Sequence, residues 1–128
     1  MSEFIEFIRE LLGKWGPVSA RRMFGGHGLY FDGVMFAIVM NNRLFLKVDA
    51  HNRAEFENLG LKPFLYTMKG KEIALSYWEA PDAIFDEPTL AVRWAISAWD
   101  AAMRNQATKA DHTQKTQARR RKKSRPPA

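Results

Sequence analysis

The sequence predicts an α+β domain of two layers, helices packed on an antiparallel sheet, followed by a disordered basic tail. Three observations carry this. Apolar residues recur at helical intervals near each end of the first hundred residues. Between those segments, short runs rich in β-branched and aromatic residues are separated by residue pairs that favour tight turns. After Arg104 the large apolar residues stop. The expected order over 1–104 is helix, antiparallel meander, short helix, β-hairpin, long helix, with 105–128 as the tail.

Each element has a local reason. Ser2 can cap a first helix, in which Phe4, Ile5, Ile8, Leu11 and Leu12 share a face and Glu6, Arg9 and Glu10 lie largely opposite. Gly13 and Gly16-Pro17 stop it. Strands are expected over Ser19 to Phe24, His27 to Phe31, Val34 to Met40 and Leu44 to Val48. Asp32-Gly33 and Asn41-Asn42 tolerate left-handed backbone and read as hairpin turns. A short helix follows from about Ala50 to Leu59, closed by Gly60. Lys62 to Met68 and Glu72 to Trp78 flank Lys69-Gly70-Lys71 as a second hairpin. In its second strand Ile73, Leu75 and Tyr77 form one apolar face and Ala74, Ser76 and Trp78 a mixed one.

Asp86-Glu87-Pro88 starts the last helix, with proline in the first turn where its missing N–H costs nothing. Arg93, Ser97, Asp100 and Arg104 make one polar stripe on it. The rest is apolar, a wide surface that calls for cover by the sheet and by a partner subunit. From Asn105 onward no side chain can join a core, so nothing offsets the entropy of ordering the chain.

Charge divides at the same place. The chain carries a net +6. Up to Arg104, 12 Lys and Arg face 13 Asp and Glu; beyond it, 8 face 1. The body is near neutral and the tail holds the excess. There is no cysteine, which excludes disulfides, thiolate metal sites and a cysteine nucleophile. The N-terminus has no signal-peptide pattern, and the longest apolar run, Val34 to Met40, is far short of the ~20 residues that span a bilayer. A cytoplasmic location without membrane contact is the expectation.

The segment Ser19 to Gly33, S-A-R-R-M-F-G-G-H-G-L-Y-F-D-G, stands out for Gly25, Gly26 and Gly28 around His27. It resembles the N-terminal domain of the TfoX (Sxy) regulators of bacterial competence. The resemblance continues through Phe36-Ala37-Ile38-Val39, Leu44 to Val48, Pro63 to Tyr66 and Leu75 to Pro81, and covers Val18 to Ala102. It implies a two-layer α+β fold and a non-enzymatic regulator of DNA-uptake genes that acts with other transcription factors. Members of the family carry a second, helical domain, which is expected to be absent here.

Candidate sites are few. The glycine loop with Arg21 and Arg22 is an anion or nucleotide site on one reading, and a bulge with His27 at a strand start on the plainer one. One of the two arginines is expected to face solvent and the other to lie over the sheet or pair with an acid of the last helix, the ion pair being the favoured reading. His51, beside Asp49 and Asn52, reads as helix capping. No metal, cofactor or catalytic residue is expected; Glu79, Asp82, Asp86 and Glu87 read as a solvated acidic loop. The aromatic residues read mainly as core. The tail cluster Arg119, Arg120, Arg121, Lys122, Lys123 and Arg125 is the candidate nucleic-acid contact, non-specific and directed at DNA or RNA phosphates. The expected function is a regulatory or adaptor domain with a protein partner and a homodimeric state. The alternatives are a protein-interaction module with no nucleic-acid role, and an anion-binding enzyme built on Gly25 to Gly28.

Overall fold

The computed structural model describes residues 2–23 and 25–124, with side chains in the last helix as far as residue 108. Helix α1 (Glu3–Leu11) begins where the Ser2 hydroxyl accepts the Ile5 N–H at 3.3 Å. It buries Ile5, Ile8 and Leu11, the expected face. Strands β1 (Ser19–Met23), β2 (Gly26–Phe31), β3 (Val34–Met40) and β4 (Arg43–Lys47) form the meander. Helix α2 (Arg53–Asn58) leads to the hairpin of β5 (Pro63–Met68) and β6 (Lys71–Glu79). A 3-10 turn, Asp82–Asp86, then leads into helix α3.

The strands form one antiparallel sheet in the order β1-β2-β3-β4-β6-β5. The three two-residue turns hold positive φ at both positions: Asp32 and Gly33 at 50° and 77°, Asn41 and Asn42 at 52° and 58°, Lys69 and Gly70 at 52° and 77°. That geometry matches the natural twist of a hairpin, and Asn, Asp and Gly adopt it most readily.

The core lies between one sheet face and the helices. Leu29, Phe36, Ala37, Val39, Leu44 and Leu46 meet Ile5 and Ile8 of α1, Phe56 of α2, and Trp94, Ala95 and Ala98 of α3. Phe36 and Phe56 are fully buried; a side chain of this size contributes roughly 1.5–3 kcal/mol when removed from water. Trp99 is tied in by its ring N–H, which donates to the Phe31 carbonyl at 2.8 Å.

Two expectations about α3 need restating. First, its wide apolar surface is mostly covered within the chain. Ala91, Ala95, Ala98, Ala101 and Ala102 are small, buried and let the helix lie close on the sheet. Only Ile96 and Met103 stay more than a third exposed among its large apolar side chains. The helix therefore leaves a smaller apolar surface for a second copy than expected. Second, α3 spans Pro88–Ser124, so the backbone stays helical past Arg104. Residues 105–125 hold neither glycine nor proline and are rich in the helix-favouring Gln, Ala, Lys and Arg, so no residue stops the helix. What ends near Arg104 is packing: Ala101 and Ala102 are buried, whereas Gln106, Ala107 and Thr108 are exposed. The expected disorder thus meets a helical backbone as far as Ser124, and residues 125–128 lie outside the described residues.

Candidate functional site

Strand β3 is apolar from end to end, the pattern of a strand covered on both faces. The structure shows why. Ala37 and Val39 face the helices with Leu29, Leu44 and Leu46. Ile38 points the other way, in register with Gly28 and Phe45, and is still 4% exposed. The sheet curls so that the β5–β6 hairpin lies over this second face. Phe64 of β5 meets Phe45 of β4 edge to face at 4.9 Å.

The two faces of β6 divide accordingly. Its clearly apolar face, Ile73, Leu75 and Tyr77, points away from the helices. The mixed face carries Trp78, which packs against Phe56 and the core. Register decides it: Leu46, a core residue, pairs with Trp78, and Lys47 pairs with Tyr77.

The curl encloses an apolar pocket of about 140 Å³. Met23 of β1, Ile38 and Met40 of β3, Leu75 of β6 and the β5 residues Phe64, Tyr66 and Met68 line it. Met23 and Met68 come from the two edge strands, so the curl brings the sheet's edges towards each other. Lys47, only 9% exposed, lies on the same face. Its ammonium donates to the Ser76 hydroxyl at 2.6 Å and stands 5.0 Å from the Tyr77 ring centre. Burial pushes the Tyr77 hydroxyl up to about 12, with the nearby Tyr30 adding to the shift. Tyr77 is therefore protonated throughout the physiological range.

The glycine motif belongs to this face. A Cβ placed on Gly26 would stand 2.3 Å from the Val39 carbonyl oxygen. One on Gly28 would stand 2.6 Å from Met35 Sδ and 2.8 Å from Met23 Sδ. The glycines leave room for a neighbouring backbone and for methionine side chains from both flanking strands. Gly25, with φ of 80°, makes the turn into β2. Gly26 and Gly28 thus serve close packing within the sheet, whereas nothing lies within 4 Å of a Cβ placed on Gly25. His27 is half-buried in β2 between Arg22 and Val39. Neither Arg21 nor Arg22 has an acidic partner among the described residues, against expectation; Arg21 lies over the Tyr30 ring at 4.9 Å.

On the helix side, Asp49 is a polar hinge between β4, α2 and α3. Its carboxylate accepts the N–H groups of His51 at 2.9 Å and Asn52 at 3.2 Å in the turn before α2, whose own N-cap residue, Asn52, makes no side-chain capping bond, unlike the capping expected there. It also accepts two hydrogen bonds from the Arg104 guanidinium, at 2.6 and 3.0 Å, a contact the sequence reading missed. These hydrogen bonds, Arg104 foremost, hold the Asp49 carboxyl down at about 2 against the opposing effect of burial. The Asn52 amide donates to the Lys47 carbonyl at 3.1 Å and reaches Ser97 of α3. Glu79, taken as part of a solvated acidic loop, instead pairs with Arg43 and accepts the Lys62 N–H.

Among the described residues, no group of three or more His, Asp or Glu is placed to hold a metal ion. No helix among them is long and apolar enough to cross a membrane. The candidate nucleic-acid contacts Arg119, Arg120, Arg121, Lys122 and Lys123 lie where side chains are not described, and Arg125 lies outside the described residues.

The model of the TfoX N-terminal domain family matches residues 10–102, which hold the end of α1, the whole sheet and the packed part of α3. The chain belongs to this family. A DNA transformation protein, TfoX1 of Aliivibrio fischeri, is 29% identical over 85 residues, covering 66% of this chain and 39% of its own length. Protein Sxy of Escherichia coli is 23% identical over 101 residues, covering 79% of this chain and 48% of its own. The chain thus spans less than half the length of either curated relative. The TfoX match and the packed core end together, at Ala102.

Proposed function

We propose that this TfoX-type domain is a non-enzymatic regulatory or adaptor module in the control of DNA transformation. In this reading the folded body works by protein contact, and the segment Arg119 to Arg125 adds sequence-blind contact with nucleic-acid phosphates. The observation that carries the proposal is the family match across the whole sheet, joined to a relative named as a DNA transformation protein. The near-neutral body supports placing the phosphate contact in the tail. Deleting the gene in its host and scoring transformation by a marked DNA fragment tests the role. The expected result is a fall in transformation that the full chain restores. An unchanged frequency sinks the transformation role.

A second reading, a protein-interaction module without nucleic-acid contact, draws on the exposed apolar hairpin: Leu65, Met68 and Ile73 are 53%, 50% and 41% exposed. Complementation with a chain that ends at Thr108 separates the two. Full rescue favours the second reading, and loss of rescue by a folded, truncated chain favours the first.

A further inference from the structure

The pocket behind the β5–β6 hairpin has no use in the family assignment. Its size, about 140 Å³, suits one large aliphatic or aromatic side chain. Three of its walls are methionines, whose unbranched thioether chains reshape around an incoming group. The apolar surface continues outward from its mouth through Met68 and Ile73, which stand on the pocket side of the hairpin and are about half exposed. Beside it sit Arg21 on β1 and Lys69 and Lys71 at the hairpin tip. All three are exposed and have no acidic partner among the described residues. The acid on this face, Glu79, is engaged by Arg43.

We propose that this face docks an acidic segment of a partner protein, which seats one large apolar side chain in the pocket while its carboxylates meet Arg21, Lys69 and Lys71. Charge complementarity selects this occupant. A second copy, docked about a twofold axis, would bring the same three cations together. The chain's own tail is excluded for the same reason, since it is basic. An anionic lipid surface would match the charge but calls for a protruding apolar face, and this pocket is recessed behind a hairpin. Single-stranded nucleic acid would need exposed rings for stacking, yet Phe45 is 5% exposed and packed edge-on against Phe64. The inference deepens the regulatory reading and rests on it only in taking the occupant to be a protein.

Selection of a random-peptide display library on the full chain tests it. Enriched peptides are expected to combine net negative charge with at least one Leu, Phe, Met or Trp. Their affinity should fall as salt rises and drop by about tenfold on the double variant Lys69→Glu, Lys71→Glu. Leu75→Trp, which fills the pocket, should abolish binding. The two lysines are at an exposed turn, so that variant keeps its fold; should Leu75→Trp unfold, the charge reversal alone decides. No enrichment overturns the proposal. So do basic or wholly polar winners, or winners that bind the charge-reversal variant unchanged. Tighter binding to phosphatidylglycerol vesicles or to oligo-dT than to the selected peptides overturns it as well, as does a dimer that Lys69→Glu, Lys71→Glu dissociates. The selection involves no gene expression. Acidic apolar winners from a chain whose deletion leaves transformation unchanged would keep this surface and remove the regulatory role, and the reverse pattern would do the opposite.

Discussion

Gly26 and Gly28 look alike in sequence but meet different neighbours, and the difference is measurable. At Gly26 a Cβ would come within 2.3 Å of a backbone oxygen, that of Val39. Backbone in the middle of a sheet cannot yield without breaking ladder hydrogen bonds, so Gly26→Ala should cost more than about 2 kcal/mol. At Gly28 the atoms in the way are the thioether sulfurs of Met23 and Met35. Those chains can turn to other rotamers, so Gly28→Ala should cost about 1 kcal/mol and narrow the adjoining pocket. Urea midpoints of the two variants check the order. Equal costs, or a harmless Gly26→Ala, would mean that β2 and β3 do not approach as described. The glycine cluster was visible in the sequence as a break in ordinary strand backbone. What filled it was not, because Met23, Met35 and Met40 sit on neighbouring strands whose register no local pattern reveals.

β3 was legible because Asp32-Gly33 and Asn41-Asn42, pairs suited to positive φ, bound it, and its observed limits agree with the expected ones. The sheet's curl was not legible. The unbroken apolar run Val34 to Met40 signals a strand covered on both faces, but the cover comes from a hairpin more than twenty residues away. A longer separation, 55 residues, hid the contact between Asp49 and Arg104, which fastens α3 to the start of α2. Its strength should depend on pH in a definite direction. The folded pKa of Asp49, about 2, is below its ordinary 3.8, so the folded state holds the proton less tightly than the unfolded chain. The stabilisation is then complete above the unfolded value and disappears as pH falls through the folded one. Arg104 is 40% exposed at its side chain, so solvent screening reduces the gain to the order of 1 kcal/mol. Arg104→Met should therefore lower stability by about that amount at pH 7 and by about half as much at pH 3. Urea denaturation of both chains at the two pH values would show it, and a pH-independent difference would assign the loss to packing instead. The packed part of α3 ends at its last buried residues, Ala101 and Ala102, so a chain ending at Thr108 should melt within about two degrees of the full chain. A drop of ten degrees in a thermal scan would show that the later residues take part in the fold.

The chain as a whole separates its apolar contact surface from its charge. Up to Arg104 the basic and acidic residues nearly cancel, 12 against 13, while the remainder holds 8 against 1. A ligand that responds mainly to phosphate charge should therefore bind through the tail, and one that responds to shape and apolar contact through the curled sheet. The tail cluster Arg119, Arg120, Arg121, Lys122, Lys123 and Arg125 offers six cations. If all engage duplex phosphates, log K should fall against log salt with a slope of roughly −5, since each contact releases about 0.9 of a counterion. Alanine at all six positions should abolish duplex binding and leave the melting temperature unchanged. Alanine at Arg21, Lys69 and Lys71 should barely alter duplex binding, although those residues also lack acidic partners, because three cations spread around an apolar pocket do not track a phosphate backbone. A scrambled duplex of equal length should bind as well as the original, since contacts to phosphate carry no base readout. The salt-titrated affinities of the two variants for both duplexes decide between the assignments. Binding that survives loss of the six tail cations, or that prefers one duplex by more than about tenfold, would place the nucleic-acid site in the folded body and remove this division of labour.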